Sequence, residues 1–397
     1  MEPSHPIAMP VLGNRLALAI VFELHLAIVA MVIGIAMIAP VAEWMGYRGN
    51  ARCARLARGV SSTLVKLYAF GATWAVFALV LLFALYPRLW GLLMGLFFQA
   101  GVAFALLWIF MTVSAYLYAE SWARLAKCPR LHIALGCAFV LSTLTFVTLA
   151  SGMAAFMLTP NRQASLPGTL LTATWLPQAV HRHVGNLSYG GLLLAGFAGW
   201  RLAASRDVAP TDRAWLDWLG SVGLTLGIGC ALAQPLVGLW YALRIRGAAP
   251  GAFQRIMLGE RSWLFLLQMA LFGAVCFAAN LYLALAVKRG SPSVSVRRWM
   301  RRSLALLGAL ALLGSIPGTW PGGTMRIKYV SLAGIALLTA ANLAVYVRGR
   351  DRFVWGKVGR GTALSLMAVA SLAVALLVTM GVIRETLLAN RLEPTAS

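Results

Sequence analysis

The chain has 397 residues, 60% of them hydrophobic and only 11% charged. A water-soluble domain carries about 25% charged residues, so an ordinary soluble globule is excluded. One bilayer-embedded body, 1–397, replaces the two or three soluble domains that this length would otherwise imply. The formal net charge of +23 lies in short clusters between apolar runs, where it orients spans and meets anionic lipid. Nucleic acid is not an expected partner.

A spanning helix needs about 20 apolar residues, and ten runs qualify, giving an all-α bundle with seven spans in 1–300 and three in 301–397. The first, 15–42, holds Glu23 and His25 in RLALAIVFELHLAIVAMVIG. A spacing of two puts these side chains on different faces of a helix. A histidine facing a bundle interior can ligate haem iron or hydrogen-bond to a neighbouring helix. Lys66 opens the second run, 63–86, where its stem can snorkel. The third, 89–118, contains Gln99; the fourth, 132–157, begins at His132, which reads as an interface residue beside Cys128 and Arg130. Turn formers mixed with Leu and Trp over 158–181 read as a loop or a short interfacial helix.

The fifth run, 182–202, is entered through His181 and His183 and continues through Gly185, Gly190 and Gly191. Small residues beyond a histidine leave room for a flat macrocycle, and they equally serve close helix packing. The sixth run, 215–242, is interrupted by Gln234-Pro235; the seventh is 262–287; the eighth, 302–317, is short and ends at Pro317. Met325 and Arg326 precede the ninth, 328–347. Methionine is an axial haem ligand and arginine pairs with propionates; a loop methionine with a positive flank is the plainer reading. The tenth run, 361–383, leads into Arg384 and Glu385.

Lys and Arg are concentrated in the connections after odd-numbered runs, which places those connections in the cytoplasm. His25, His183, Met325, Arg326 and Glu385 then share the outer half of the membrane. The five cysteines form no CxxC or CxxCH pattern, so zinc ribbons and covalently attached haem are not expected. The first apolar run is too long for a signal peptide and is expected to stay in the mature protein.

At these residues the sequence resembles subunit I of the cytochrome bd quinol oxidases. Arg15 followed ten residues later by His25, the KLYAFGATWAV run from Lys66, the GLLMGLFFQAG segment and the His183/Tyr189 pair carry the resemblance in order. The family's later methionine motif is nearest to TMRIKYV, where Lys328 takes the ligand position and Met325 lies one helical turn earlier. Glu385 matches a family glutamate, without the G-R-Q-P-W signature that follows it. Acidic residues that members hold in the third span stand here as Gly91 and Gln99, and the quinol-binding loop after the sixth span is replaced by the short RIRGAAPGAFQRIMLGERSW.

The resemblance implies a respiratory electron-transfer protein of a bacterial inner membrane, holding one or more non-covalent haem b. His25, His183 and Met325 would ligate iron, and Arg326 would neutralise a propionate. Glu23, Lys66, Gln99 and Glu385 are candidates for proton coupling. Membrane quinol would supply electrons, and a second membrane subunit or a c-type cytochrome would receive them. A bd-type terminal oxidase with haem d is the enzymatic alternative. A secondary transporter and a subunit without cofactors are the others.

Overall fold

The computed structural model describes residues 7, 9–160, 170–204, 209–257, 259, 261–316 and 324–392. Within them the chain forms twelve α-helices and no strand. These are α1 Gly13–Tyr47, α2 Ala51–Leu85, α3 Pro87–Glu120, α4 Pro129–Leu158, α5 Trp175–Ala204 and α6 Pro210–Ala231. There follow α7 Gln234–Ala248, α8 Pro250–Met257, α9 Ser262–Val287, α10 Val294–Gly314, α11 Thr324–Gly349 and α12 Arg360–Leu392. Hydrocarbon offers no partner for backbone N–H and C=O, so a chain this apolar must satisfy them within helices.

Among the described residues, eight helical segments are long and apolar enough to cross a membrane. The protein is a multi-pass helical membrane protein. Each of the ten predicted runs overlaps a helix, but those at α5 and α10 are outside the eight, because polar residues interrupt them. Arg182 and the flanking histidines open α5, and four arginines occupy the first half of α10.

Several helices start earlier than their apolar runs. The basic stretch before residue 63 is already α2, capped by Asn50, whose Oδ1 accepts from Cys53 N at 3.1 Å. Cys53, Leu56, Ala57, Val60, Ser61 and Leu64 are buried along it, which is the i, i+3, i+4 spacing of one helical face. The predicted sixth span is two helices, α6 and α7, separated at Leu232-Ala233. Pro235 has no N–H and its ring clashes with the carbonyl four residues back, which falls on Ala231, the last residue of α6. The basic segment in place of the long loop folds as the end of α7 and the short α8.

The fold divides into two compact units. The first comprises residues 1–183, 240–250 and 384–397. Its body is a four-helix bundle in which α1 packs on α2 and α4, and α3 packs on α2 and α4. Where α1 turns into α2, a Cβ on Gly46 would stand 2.7 Å from Ala54 Cα.

The second unit comprises residues 184–239 and 251–383. Helices α9, α10 and α11 pack on one another around Cys276, Leu307 and Ile335. Elsewhere in this unit glycines bring backbones together: a Cβ on Gly191 of α5 would lie 2.7 Å from Gly227 N and 2.8 Å from Gly223 O of α6. At Gly191, then, the small residue serves helix packing. Asp217 of α6 accepts from Arg289 Nη1 at 2.6 Å and from Gly356 N at 2.9 Å, and the positive φ of Gly356 (94°) suits only glycine.

Gly191→Ala is expected to destabilise the protein by about 1–3 kcal/mol, since the neighbours are backbone and cannot yield. Gly229→Ala, on the same α6 but with nothing within 4 Å, should be neutral or slightly stabilising. Thermal unfolding in detergent compares the two.

Candidate functional site

The predicted imidazoles fall in the first unit. His25, half-buried on α1, donates through Nδ1–H to the carbonyl of Gly71 on α2 at 3.2 Å. With the proton fixed on Nδ1, the lone pair is on Nε2. Gly71 permits this approach, because a Cβ there would already meet Ile28 Cγ2 at 3.1 Å.

His183 lies in the first turns of α5 and is held to α4. Its Nε2 is 2.7 Å from Thr148 Oγ1. The Thr148 hydroxyl donates to the Leu144 carbonyl at 2.7 Å, so toward the imidazole it is the acceptor and His183 carries its proton on Nε2. Two further bonds fix the same junction: Trp175 Nε1 donates to Thr148 O at 2.9 Å, and Arg182 Nη1 donates to Ser151 Oγ at 3.1 Å. His183 Nδ1 is buried without a hydrogen-bond partner among the described residues. His181 points elsewhere, its ring 6.3 Å from that of Tyr241.

Arg182 lies near enough for its charge to act on His25, His181 and His183 alike. The site is therefore two imidazoles in the first unit, each with one ring nitrogen bonded to protein. Among the described residues no three His, Cys, Asp or Glu side chains cluster as a metal cage, so any metal centre here would rest on single imidazole ligands.

The other predicted residues are dispersed. Glu23 is half-buried on α1, whereas Lys66 on α2 and Gln99 on α3 are exposed. Gln99 lies two residues beyond a kink at Phe97, and Gly91 faces open space. Met325 and Arg326 start α11 and Glu385 lies in α12, but their side chains fall outside the described residues. Lys328, one turn beyond Met325, is buried, with Nζ 6.0 Å from the Phe265 ring centroid.

One pair escaped the sequence reading. His132, at the start of the fourth span as the sequence placed it, is buried there: it is 2% exposed, and its Nδ1 lies 2.7 Å from Glu43 Oε1. The rings of Tyr118 and Trp122 cover it at 4.9 and 4.2 Å. Topology held the clue, because Glu43 ends the first span and His132 begins the fourth, on the same side of the membrane. Removing one member of a buried pair leaves the other buried and unbonded. His132→Ala should cost about 3–5 kcal/mol, while the Glu43→Leu/His132→Leu double variant recovers most of the loss in a detergent melt.

No family model matches the chain, and no curated protein sequence matches it. Among solved structures it is similar to a chain of the bd oxidase from Geobacillus thermodenitrificans, with a TM-score of 0.50 and 16% identity. The likeness covers 98% of this chain and 99% of that one. At that identity it shows a shared membrane fold, and the sites rest on the residues above.

Proposed function

We propose that this protein is a haem b-binding electron-transfer subunit of a bacterial respiratory chain, related to subunit I of the cytochrome bd oxidases. In the bacterial inner membrane it would pass electrons from membrane quinol to a second membrane subunit or a c-type cytochrome. The observation that carries this reading is the pair of imidazoles in the first unit: His183 Nδ1 is buried with no partner among the described residues, and His25 is locked as a donor through Nδ1.

Ligating histidines characteristically donate their other ring N–H to a carbonyl or comparable acceptor, which fixes the tautomer and raises ligand basicity. His25 makes that bond to Gly71 O and His183 makes its equivalent to Thr148. An unsatisfied buried nitrogen costs about 1–3 kcal/mol, and an iron ligand role for His183 removes that cost. Haem supplies reversible one-electron chemistry when bound. Arg182, next to His183 in sequence and bonded to Ser151 Oγ, supplies positive charge for a propionate, a role the sequence assigned to Arg326. Met325 and Arg326 stay in the proposal as a ligand and a counter-charge on α11.

A full oxidase with haem d draws less support. Gly91 and Gln99, which stand for the family's acidic residues, carry no carboxylate and lie on the exposed face of α3. Proton coupling is assigned to Glu23 and Glu385 ahead of the exposed Lys66 and Gln99.

The test is a dithionite-reduced minus oxidised spectrum of protein purified from haem-loaded cells, with a pyridine haemochrome assay. A low-spin b-type α-band is expected in the wild type. His25→Ala and His183→Ala should each lower haem per protein, and the double variant should abolish binding. Unchanged haem in a folded double variant, or a flat wild-type spectrum, defeats the proposal. A red haem d band would revive the oxidase.

A further inference from the structure

A cleft with a volume of about 440 Å³ opens between α9 and α10 in the second unit. Leu281, Leu285 and Leu304 form an apolar wall, and Lys288, Arg297, Arg298 and Arg301 surround it. Its volume lies within the roughly 300–1,000 Å³ range of ligand sites. All four cations are exposed, and none forms an ion pair with a carboxylate among the described residues.

An independent feature points to the same spot. The N-terminus of a helix is its positive pole and is stabilised by acidic residues. Yet α10, capped by Ser293, has no acid in its first turn and carries Arg297, Arg298, Arg301 and Arg302 in its first half. Arg297 and Arg301, like Arg298 and Arg302, are four apart and repel along the helix. An external anion relieves the repulsion and meets the helix dipole at once.

The anion must also explain the wall. Inorganic phosphate has nothing to place against Leu281, Leu285 and Leu304, whereas a lipid phosphate brings acyl chains with it. The cleft adjoins the connection after the seventh span, on the side that the charge distribution makes cytoplasmic, and basic pockets between helices there suit acidic headgroups. We propose that the α9–α10 cleft is a binding site for an acidic glycerophospholipid, its phosphate held by Lys288, Arg297, Arg298 and Arg301 and its chains lying along the leucine wall. This inference does not depend on the haem reading.

Native mass spectrometry of the delipidated full chain, titrated with phosphatidylglycerol, phosphatidylcholine or inorganic phosphate, tests it. Wild-type protein and an Arg124→Gln/Lys127→Gln control, altered at exposed cations of the first unit, should retain phosphatidylglycerol equally. Arg297→Gln/Arg298→Gln/Arg301→Gln should bind it about tenfold more weakly or worse. Ala284→Phe, which fills the cleft and spares every charge, should weaken it too. If the triple variant misfolds by circular dichroism, Ala284→Phe decides. Equal retention by wild type and the folded variants, equal retention of phosphatidylcholine, or displacement of the lipid by inorganic phosphate would overturn the proposal.

Discussion

A polar side chain inside hydrocarbon has to find its partner on another helix, and that requirement shapes both units. Backbone groups are satisfied locally by helix formation, so they say little about which helix packs on which. Side chains decide that. His25 reaches α2, His183 reaches α4, Glu43 joins α1 to α4, and Asp217 joins α6 to the turn after α9. Each bond costs the protein an unsatisfied group if the helices separate, so a handful of polar contacts fixes the neighbours that apolar packing alone would leave interchangeable.

The constraint is met unevenly in both units. In the second, Asn342 Nδ2 donates to Asn280 Oδ1 at 2.7 Å, Asn280 Nδ2 donates to Thr339 Oγ1 at 2.9 Å, and Trp299 Nε1 donates to Asn342 Oδ1 at 2.8 Å. Donors and acceptors there answer one another across α9, α10 and α11, and the result is rigidity. In the first unit His183 Nδ1 and His132 Nε2 are buried without partners among the described residues, and in the second Arg289 Nη2 is the counterpart. Spare bonding capacity in a dry interior is costly to keep, and at His183 it falls on the candidate site.

Hydropathy made the helices legible because length and apolar character are properties of a contiguous run. The ends were less so. The start of α2 carries basic residues on its outer face and buries Cys53, Leu56 and Ala57 on the other, so a search for unbroken apolar sequence passes over it. The break between α6 and α7 was visible in Pro235, though only as an interruption. His25 and His183 stood out as ionisable groups in apolar surroundings, but their partners did not. Gly71 offers a carbonyl and Thr148 a hydroxyl, and neither signals itself in a sequence. Arg182 was likewise hidden, since its role comes from lying near an imidazole 157 positions earlier.

The bond between Thr148 and Leu144 reaches further than its own turn of helix. The hydroxyl has one proton, and α4's backbone already holds it. His183 can therefore move its proton to Nδ1 only if Thr148 rotates away from Leu144 or gives up the imidazole. The tautomer of a ring on α5 is thereby written by a carbonyl on α4. Where that ring keeps its lone pair thus depends on how α4 and α5 are docked, and a small slip between the two helices would be felt as a change in the ring's chemistry.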